Sequence, residues 1–496
     1  MRSLTGVFFV LLLAVSPLFS QQRTLVMTLD DVIETAREQS QDALIAKHSF
    51  LSSYWSYRSY KAQLLPSLNL NSTLGQYNRT LSQVQNSETG EINYVENNSL
   101  YNSLSLSIDQ NIPFTGGNVS VYTSLNRLDQ FSPFNEGTWN TQPINIQYTQ
   151  PIRGFNTLKW EKKIEPKRYE MAKQDYLGQM ESITVQATTL FFDLLLAQSA
   201  LDMARKNHES TEFSYKIANE RYAIGMISKS DLLQLNLRLL NNELSISEAE
   251  LDLRVKLTKL RTYLGYNENV DIELVVPEIK SSLTLDYDDV LYRTLTNSSF
   301  ALENEISILE AQQEVARAKS EVGLQATLHA TFGLNQVDER FKNAYMNLLD
   351  QEVLGLTLSM PILDWGLSKG RVKVAKSLND VVEMEVAQKE QEMREDIMFR
   401  VLQFNLQSQQ CSVSAQADSI GRQRYENTRE RFLNGTATVT DLNTAQTEMD
   451  DAITNYLNAL GNYWKYYYEI RQLALYDYMN DRMLAEDFDK LVENEY

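Results

Sequence analysis

The feature of this sequence that most constrains its fold is an internal duplication, in which short matches recur in the same order at constant offsets. The offset is 258 residues for the earlier matches and 210 for the later ones, so the first copy carries 48 additional residues between Gly75 and Pro151. Solenoid repeats have periods of roughly 20–50 residues, so a period this long indicates two copies of one large unit. The matched pairs are Asp30-Asp31-Val32 with Asp288-Asp289-Val290, 67–75 with 325–333, Pro151-Ile152 with Pro361-Ile362, and Arg221-Tyr222, Gly225 and Asp231-Leu232 with Arg431-Phe432, Gly435 and Asp441-Leu442.

The composition excludes several classes of protein. The chain has 496 residues, a formal charge of −19 at pH 7 and a mean hydropathy of −0.37, which excludes a membrane protein built of many apolar helices. Its 26 tyrosines exclude a disordered acidic chain. The excess of acidic residues, 65 against 46 basic ones, argues against nucleic acid as a partner. A single cysteine, Cys411, excludes an intrachain disulfide, and three histidines argue against a histidine-rich metal site.

The first 20 residues have the pattern of a secretory signal peptide. Arg2 precedes an apolar run over 7–15, and Ser20 stands before the polar pair Gln21 and Gln22. The run is shorter than the ~20 apolar residues of a membrane-spanning helix, and no later stretch approaches that length without charges. We therefore expect export with cleavage after Ser20, no N-terminal lipid anchor because no cysteine follows, and strands as the only means of crossing a membrane.

Six long segments have the composition of helices. Two of them, 155–222 and 367–434, are about 68 residues long, which corresponds to roughly 100 Å of helix. Helices of this length must pack lengthwise against others, as in a coiled coil. Each is followed by a short turn and a returning helix. The predicted helices are 29–64, 155–222, 230–264, 286–322, 367–434 and 438–475.

Each returning helix has an apolar stripe with alternating spacings of three and four residues, which indicates core packing between helices. In the first copy the stripe is interrupted at Asn242 and Lys256, whereas in the second it is continuous. The stripes are Leu232, Leu235, Leu239, Ile246, Ala249, Leu253, Leu260 and Tyr263, and Leu442, Ala445, Met449, Ala452, Tyr456, Ala459, Tyr463, Tyr466 and Ile470.

Between the helices lie strands with alternating polarity. Only nine of the 97 residues from Ala62 to Leu158 are charged, and none is lysine. Leu104, Leu106 and Ile108 alternate with serines, so one face is apolar and the other polar. A soluble sandwich would show the same pattern, but an exported chain without a spanning helix favours an outer-membrane barrel. One chain offers four to six strands, too few for a barrel with a lumen, so at least two chains must share it.

The 48 additional residues predict an extra hairpin. Segments near 99–110, 118–128 and 143–150 could form three successive strands, with Gly116-Gly117 as a periplasmic turn. The hairpin would lie either outside the barrel or inside its wall, giving six strands per chain. Protease cleavage of intact cells near Phe131–Glu136 would test this arrangement, because that stretch should face outward.

At this point the sequence resembles the TolC family of outer-membrane efflux proteins. The resemblance covers about residues 28–475 and rests on the duplicated layout, on two helix turns and on three strand-to-helix junctions. Single motifs are weak, but their order and duplication make the resemblance specific. The turns are 221–233 and 431–442, each with an aromatic residue, a glycine three residues later and an Asp-hydrophobic pair, and the junctions are 112–117, Gln150-Pro151-Ile152 and 360–366.

The resemblance implies an α+β membrane protein in which duplicated helix–strand–strand–helix units form a shared outer-membrane β-barrel, continued by an α-helical coiled-coil tunnel in the periplasm of a Gram-negative bacterium. It implies a homotrimer that works with a periplasmic adaptor, or membrane fusion protein, and an inner-membrane transporter of RND or ABC type. It implies contact with outer-membrane lipid, no nucleic acid, no catalysis and no cofactor or metal. The expected segments are a signal peptide at 1–20, a first repeat at 28–265 with barrel strands about 67–150, a linker at 266–284, a second repeat at 285–475 with barrel strands about 325–360, and an acidic tail at 476–496 that we expect to be solvated.

Two groups of site residues follow from the resemblance. The helix turns would contact the adaptor through Ile224, Gly225 and Met226 in the first copy and Asn434, Gly435 and Thr436 in the second. Asp231 and Asp441 would narrow the periplasmic mouth as a gate. The alternative for both acids is helix capping, with Ser230 or Thr440 as the cap, because acids in a first helical turn complement the helix dipole.

The family's other mouth residues differ here. A second acid that lines the pore in the family falls on Thr444, and the tyrosine and arginine that latch the closed mouth in its best-known member fall on Phe432 and Ala437. Phe432 has no hydroxyl and Ala437 no charge, so a latch of that form cannot exist.

The sequence predicts a channel for efflux or type I secretion, and two other functions are alternatives to it. A periplasmic coiled-coil adaptor or structural protein would also have long helices, but the alternating strands at two separate places favour the channel. For an enzyme the sequence lacks Gly-x-Ser-x-Gly, His-Glu-x-x-His, Walker and Gly-x-Gly-x-x-Gly motifs. The transported substrate is not predicted, because the family's tunnel lining is generic.

Overall fold

The computed structural model describes residues 23–85, 90, 92–132, 135–266, 270–279 and 283–493. The predicted signal peptide at 1–20 lies outside these residues. The chain divides into two compact units. Unit 1 comprises Met1–Ile45, Met180–Leu285 and Leu402–Ile470, and unit 2 comprises Ala46–Gln179, Asp286–Val401 and Arg471–Tyr496.

The secondary structure consists of two very long helices, shorter helices and long strands. The helices are Leu29–Gln39 (α1), Gln41–Gln63 (α2), Thr157–Ala223 (α3), Lys229–Tyr263 (α4), Tyr287–Asn297 (α5), Phe300–Ser320 (α6), Leu367–Leu433 (α7), Val439–Ala474 (α8) and Phe488–Glu493 (α9). The strands are Arg23–Met27 (β1), Ser67–Gln85 (β2), Ile92–Ile112 (β3), Gly117–Ser132 (β4), Glu136–Arg153 (β5), Val270–Leu274 (β6), Gln325–Asp338 (β7), Leu349–Ser359 (β8), Tyr476–Asp477 (β9) and Arg482–Met483 (β10).

The long strands of unit 2 form one antiparallel sheet in the order β2-β3-β4-β5-β7-β8. The sequence left open whether the additional hairpin would lie in this sheet or outside it. In the structure β3 and β4 pair with each other and with β2 and β5, so the hairpin lies inside the sheet.

The two faces of this sheet differ in polarity. Residues paired across neighbouring strands form rows, and apolar and polar rows alternate. The apolar side chains are exposed, with Leu68, Ile108, Ile146 and Phe332 each about half exposed or more, which is the pattern of a barrel wall with one face toward lipid. From β2 to β7, one row contains Leu68, Ile108, Val121, Ile146 and Phe332, and the adjacent row contains Ser67, Asp109, Ser120, Gln147 and Thr331. On β8 these rows continue to Glu352 and Val353, respectively.

The predicted helices 29–64 and 286–322 are each interrupted, so their prediction as single helices was wrong. α1 ends at Ser40, whose backbone is extended and whose buried Oγ accepts a hydrogen bond from the N–H of Ala43 at 3.1 Å. α5 ends at Ser298, which is also extended and whose Oγ donates to the carbonyl of Thr294 at 2.6 Å. Serine side chains that bind nearby backbone groups compete with helical hydrogen bonds and favour such breaks.

The predicted linker at 266–284 contains a strand that the sequence analysis missed. β6 pairs in parallel with β1. Gln198 of α3 fixes this pair, because its Nε2 donates to the carbonyl of Ile272 at 2.6 Å and its Oε1 accepts from the N–H of Leu274 at 3.2 Å. Five-residue strands with acids at alternate positions give little sequence signal.

The prediction of a solvated acidic tail at 476–496 was wrong at several positions. Tyr476 and Asp477 are buried, and Asp477 forms an ion pair with Arg471 at 3.3 Å. Phe488 packs with its ring centroid 4.9 Å from that of Phe50. The number of acidic residues suggested a solvated tail. The aromatic residues between them, however, are more stable when packed against other side chains than when exposed to water.

Within the described residues one helix, α3, contains a stretch apolar and long enough to cross a membrane by composition. The structure buries 61% of that stretch, as in the core helix of a folded unit. Phe191 and Leu194 on this helix are fully buried. The core-packing interpretation of the α8 stripe is confirmed at Leu442, Tyr463 and Ile470, which are also buried.

Candidate functional site

The two helix turns of unit 1 have the same backbone geometry. In the first turn Gly225 has a φ of +77°, its N–H donates to the carbonyl of Tyr222 at 3.0 Å, and the N–H of Met226 donates to that of Arg221 at 2.8 Å. In the second turn the corresponding values are +75°, 3.0 Å and 2.8 Å, with Gly435 in the place of Gly225. This pair of hydrogen bonds is the Schellman motif, which requires a left-handed residue after the helix and therefore favours glycine.

The helix that follows each turn begins with a capping box. Asp231 Oδ2 accepts hydrogen bonds from the backbone N–H of Ser228 at 3.2 Å and from its hydroxyl at 2.7 Å, and the Asp231 N–H donates back to Ser228 Oγ at 3.1 Å. Thr438 and Asp441 make the same three bonds at 2.9, 2.7 and 3.1 Å. The prediction of Ser230 or Thr440 as caps was therefore wrong, because the reciprocal bonds require the cap three residues before the acid.

Capping affects the charge of the acid in the second turn. The hydrogen bond from the Thr438 backbone, followed by the one from its hydroxyl, lowers the pKa of Asp441 below its ordinary value, and Arg431 contributes further in the same direction. Asp441 is exposed and Asp231 is half-buried. Both acids thus have a structural role, and the gate role of Asp231 and Asp441 stays a prediction.

The side chains that the turns present to solvent differ. In the first turn Ile224 and Met226 are 71% and 70% exposed, which is unusual for apolar residues of this size. The equivalent positions of the second turn are the polar residues Asn434 and Thr436, both exposed. The predicted adaptor-contact residues therefore form one apolar tip and one polar tip.

The aromatic residue of each turn differs in the same way. Tyr222 is 39% exposed, whereas its counterpart Phe432 is 3% exposed. Phe432 belongs to a buried cluster, here called the turn cluster, and Ala437 packs against it. The residues that replace the family's latch are thus core residues in this chain. The turn cluster consists of Ala218, Leu235, Tyr425, Phe432, Val439 and Leu442.

Arg221 links the two turns, a role that the sequence analysis missed. Its Nη1 donates to the carbonyl of Phe432 at 3.0 Å and its Nη2 to that of Leu433 at 2.7 Å, at the C-terminal end of α7. Its guanidinium also lies 5.6 Å from the centre of the Phe432 ring. A cation at this position satisfies free carbonyls and complements the negative end of the helix dipole. The equivalent Arg431 instead donates to Thr436 within its own turn, at 3.3 Å.

A polar layer joins α3, α4 and α8 above the turns. Asn207 donates to Asp450 Oδ2 at 2.6 Å and accepts from Gln446 at 2.5 Å, while Arg238 donates to Gln446 at 3.2 Å. Burial raises the pKa of Asp450 and lowers that of Arg238. Asn242, which interrupts the predicted stripe of α4, donates to the carbonyl of Asn207 at 3.1 Å. Buried polar groups paired in this way fix the register of neighbouring helices.

Within unit 1, α3 and α8 each contact the other three long helices. α3 contacts α4 through Lys256 and Asp193 at 2.8 Å, α8 through Asn207 and Asp450, and α7 through the hydroxyls of Ser210 and Tyr425 at 2.7 Å. α8 contacts α4 through Gln446 and Arg238 and α7 through the ion pair of Glu448 and Arg424. α4 and α7 each also have a side whose large apolar residues are exposed.

The exposed sides of α4 and α7 carry apolar stripes that the sequence analysis missed, because it followed stripes only on the returning helices α4 and α8. The residues of both stripes are exposed and have helical spacings of three, four or seven. An exposed stripe of this kind on α4 and on α7 indicates that further helices pack there. The stripes are Leu233, Leu237, Leu240, Leu244, Leu251 and Val255 on α4, and Leu402, Leu406, Val413 and Ile420 on α7.

Several solved structures share this fold. The Campylobacter jejuni outer-membrane channel CmeC matches with a TM-score of 0.64 and 15% identity, over 94% of this chain and 89% of that chain. The outer-membrane protein VceC from Vibrio cholerae matches with 0.62 and 14%, over 90% and 95%. The open state of the Neisseria gonorrhoeae outer-membrane channel MtrE matches with 0.59 and 13%, over 90% and 88%. The fold is thus that of TolC-like outer-membrane channels.

The sequence pattern of the family described as "Outer membrane efflux protein" matches residues 118–266 and 297–474, which is more than half of the chain. The chain belongs to this family. A comparison with curated protein sequences finds no match.

The family defines the function. The protein is an outer-membrane channel for efflux and not an enzyme, and its helical tunnel lies in the periplasm of a Gram-negative bacterium. Channels of the family form trimers and work with periplasmic adaptors and inner-membrane pumps. Among the described residues no group of three or more His, Cys, Asp or Glu side chains is arranged to hold a metal ion.

Proposed function

We propose that the two helix turns form the periplasmic mouth of this efflux channel and that the first turn, with Ile224, Gly225 and Met226, is the main contact for the adaptor. The observation that carries the proposal is the exposure of Ile224 and Met226 in the turn between two long helices. Such side chains gain about 1.5–3 kcal/mol each when a partner buries them fully. The second turn, with Asn434, Gly435 and Thr436, would contribute polar contacts.

The test exchanges the residues between the turns. A double variant, Ile224→Asn with Met226→Thr, gives the first turn the residues of the second while keeping Gly225 and the turn geometry. We expect loss of dye efflux from cells with normal amounts of trimer, measured as the heat-modifiable band on gels. The matched control, Asn434→Ile with Thr436→Met, should retain efflux. Full efflux by the first double variant would contradict the proposal.

We further propose that Asp231 and Asp441 line the mouth and attract cations. The support is that capping fixes both carboxylates in the first turn of a helix and that the lowered pKa of Asp441 keeps it charged. Asp441→Asn should reduce cation selectivity and block in planar-bilayer recordings. Thr438→Ala, which removes the cap and keeps the charge, should leave selectivity unchanged. If both variants change cation selectivity equally, or if neither changes it, Asp441 acts only as a helix cap.

The exposed stripes of α4 and α7 support a trimer in which α4 of one copy packs against α7 of the next. Leu240→Lys on the α4 stripe should reduce the fraction of trimer extracted in mild detergent. Asn241→Lys on the neighbouring exposed position is the control and should not reduce it. Equal trimer fractions for both variants would contradict this packing.

The inner-membrane partner is proposed to be a transporter of RND or ABC type. The two classes use different energy sources, so efflux measured after addition of a protonophore, or after ATP depletion with the proton gradient maintained, distinguishes them. Loss under the first condition alone supports the RND type, loss under the second alone supports the ABC type, and loss under neither contradicts both.

The apolar face of the unit 2 sheet is proposed to contact outer-membrane lipid. Leu104 and Leu106 are exposed on that face, and Ser105 lies between them on the other. A charge facing lipid costs about 2–4 kcal/mol near the bilayer midplane. Leu106→Arg should therefore lower the amount of assembled channel in the outer membrane, whereas Ser105→Arg should not. Equal amounts of both variants would contradict a lipid-facing surface.

A further inference from the structure

Unit 2 contains more strands than helices connected to them. β2 follows α2, β5 leads into α3, β7 follows α6 and β8 leads into α7. β3 and β4 are joined directly by the short turn 113–116 and connect to no helix. The sheet therefore has six strands, of which four connect to helices. β3 and β4 do not, so their membership of the barrel wall has to be established separately.

The turn between β3 and β4 is fixed to the base of the sheet. The side chain of Asn156, at the start of α3, donates to the carbonyl of Pro113 at 3.0 Å and accepts from the N–H of Lys159 at 3.0 Å. Gln150 of β5 donates to the carbonyl of Thr115 at 3.0 Å. The extra hairpin is thus held where β5 becomes α3, and its strands run along the wall from that level.

The strands of the sheet alternate in direction, since every neighbouring pair is antiparallel. With six strands, the first and last run in opposite directions, so β8 of one copy meets β2 of another copy in antiparallel orientation. Within the described residues, each of these two strands has a neighbour on one side only. Unpaired backbone groups are not tolerated in lipid, so both edges require a partner strand.

We propose that three copies close one barrel of 18 strands, with β8 of each copy paired to β2 of the next. This inference rests on the trimeric channel proposed above, and a second copy of this chain is the partner of each edge. The row of paired residues that begins at Ser67 ends at Val353, six residues before the last residue of β8, Ser359. If the bases of β2 and β8 are level, Ser359 pairs with Ser67 of the next copy.

This closure has ordinary barrel geometry. A stagger of six residues over six strands is one residue per strand, which corresponds to a tilt of about 35° at strand spacings of ~4.8 Å and rises of ~3.3 Å. Each copy then occupies about 35 Å of circumference, close to the ~32–40 Å required by four helices packed side by side. The barrel would be about 34 Å across between backbones, which leaves a water-filled lumen.

Cysteine cross-linking tests the edge pairing. Ser359→Cys or Thr357→Cys in β8 is combined with Ser67→Cys or Asn69→Cys in β2, or with Asn118→Cys or Ser120→Cys in β4. Cys411 can stay, because it is buried and burial raises the pKa of its thiol to about 11. The 18-strand wall predicts oxidised dimers and trimers on non-reducing gels with the β2 cysteines and none with the β4 cysteines or with single cysteines.

Cross-links from β8 to β4 would mean a wall of four strands per copy, with β2 and β3 outside it, and would overturn the proposal. So would the absence of β8–β2 cross-links in assembled trimers. Efflux and trimer formation measured in the same cells show separately whether the channel function holds. Electron cryomicroscopy of the unmodified trimer counts the strands of the wall. Twelve strands, with the β3–β4 hairpin outside the wall, would allow the same β8–β2 cross-links and would overturn the proposal.

Discussion

The turn between α3 and α4 and the turn between α7 and α8 follow the same backbone path. Their glycines have φ values of +77° and +75°, and a capping box begins the helix after each turn. The two turns differ in which side chains they expose and which they bury. The first turn exposes Ile224 and Met226, whereas the second buries Phe432 and exposes polar residues. The duplicated backbone thus allows one turn to anchor the end of the helical bundle while the other remains free to meet a partner.

The largest difference between the turns should appear at their aromatic residues. Phe432→Ala removes a ring from the turn cluster and leaves a cavity, so we expect a loss of about 3–5 kcal/mol in the free energy of unfolding. Tyr222→Ala removes a partly exposed ring and should cost less than about 1 kcal/mol. Denaturant unfolding followed by circular dichroism measures both. Similar losses would mean that the two turns are anchored alike.

The two arginines should differ next. Arg221→Ala leaves the carbonyls of Phe432 and Leu433 without their donor, and we expect a loss of about 1–2 kcal/mol. Arg431→Ala removes a single exposed bond to Thr436 and should cost only a few tenths of a kcal/mol. The thermal midpoint of the helical signal in detergent reports both. A larger loss of stability in Arg431→Ala than in Arg221→Ala would mean that Arg431, and not Arg221, links the two turns.

The two capping boxes should contribute equally to the free energy of unfolding, because they contain the same hydrogen bonds. Ser228→Ala and Thr438→Ala each remove the hydroxyl of a capping box, with an expected cost of about 1 kcal/mol in either turn. The measurement is again the free energy of unfolding, with Ser230→Ala and Thr440→Ala as controls that should change little. A cost at the controls instead would restore Ser230 and Thr440 as caps.

The smallest expected effect is a dependence on pH in the second turn. Hydrogen bonds from Thr438 lower the pKa of Asp441 in the folded protein, so the stability they contribute is complete above the unfolded pKa and is lost as pH falls through the folded pKa. Comparing the thermal midpoints of the unmodified protein and Asp441→Asn between pH 7 and pH 3 isolates this contribution. The difference between them should shrink as pH falls, and a constant difference would contradict the mechanism.

Much of the fold was predictable because it depends on periodic signals. Helices of 67 residues, alternating strands and matching turns such as Gly225 and Gly435 repeat a pattern many times, so single exceptions do not obscure it. The breaks at Ser40 and Ser298 were not predictable, since one serine in a helical pattern is more often a surface residue than a cap. The short pair of β1 and β6 is held by contacts with Gln198, which is 72 residues or more from β6 and gives no local signal.

The candidate site was predictable in its positions but not in its contacts. The turn residues and the acids Asp231 and Asp441 were identified from the resemblance of the two turns to those of the TolC family. The sequence could not show that Arg221 reaches α7 whereas Arg431 stays in its own turn, because both arginines occupy the same place in the repeat. The distinction depends on the packing of Phe432, which no pattern within one copy records.

The hairpin of β3 and β4 also bears on how such a protein can evolve. Because a hairpin adds two strands of opposite direction, its insertion leaves the direction of every other strand unchanged. A gene could therefore acquire these residues in one event without changing the sequence of the two helix turns. The circumference of the wall and the helices beneath it would then be free to diversify at different rates.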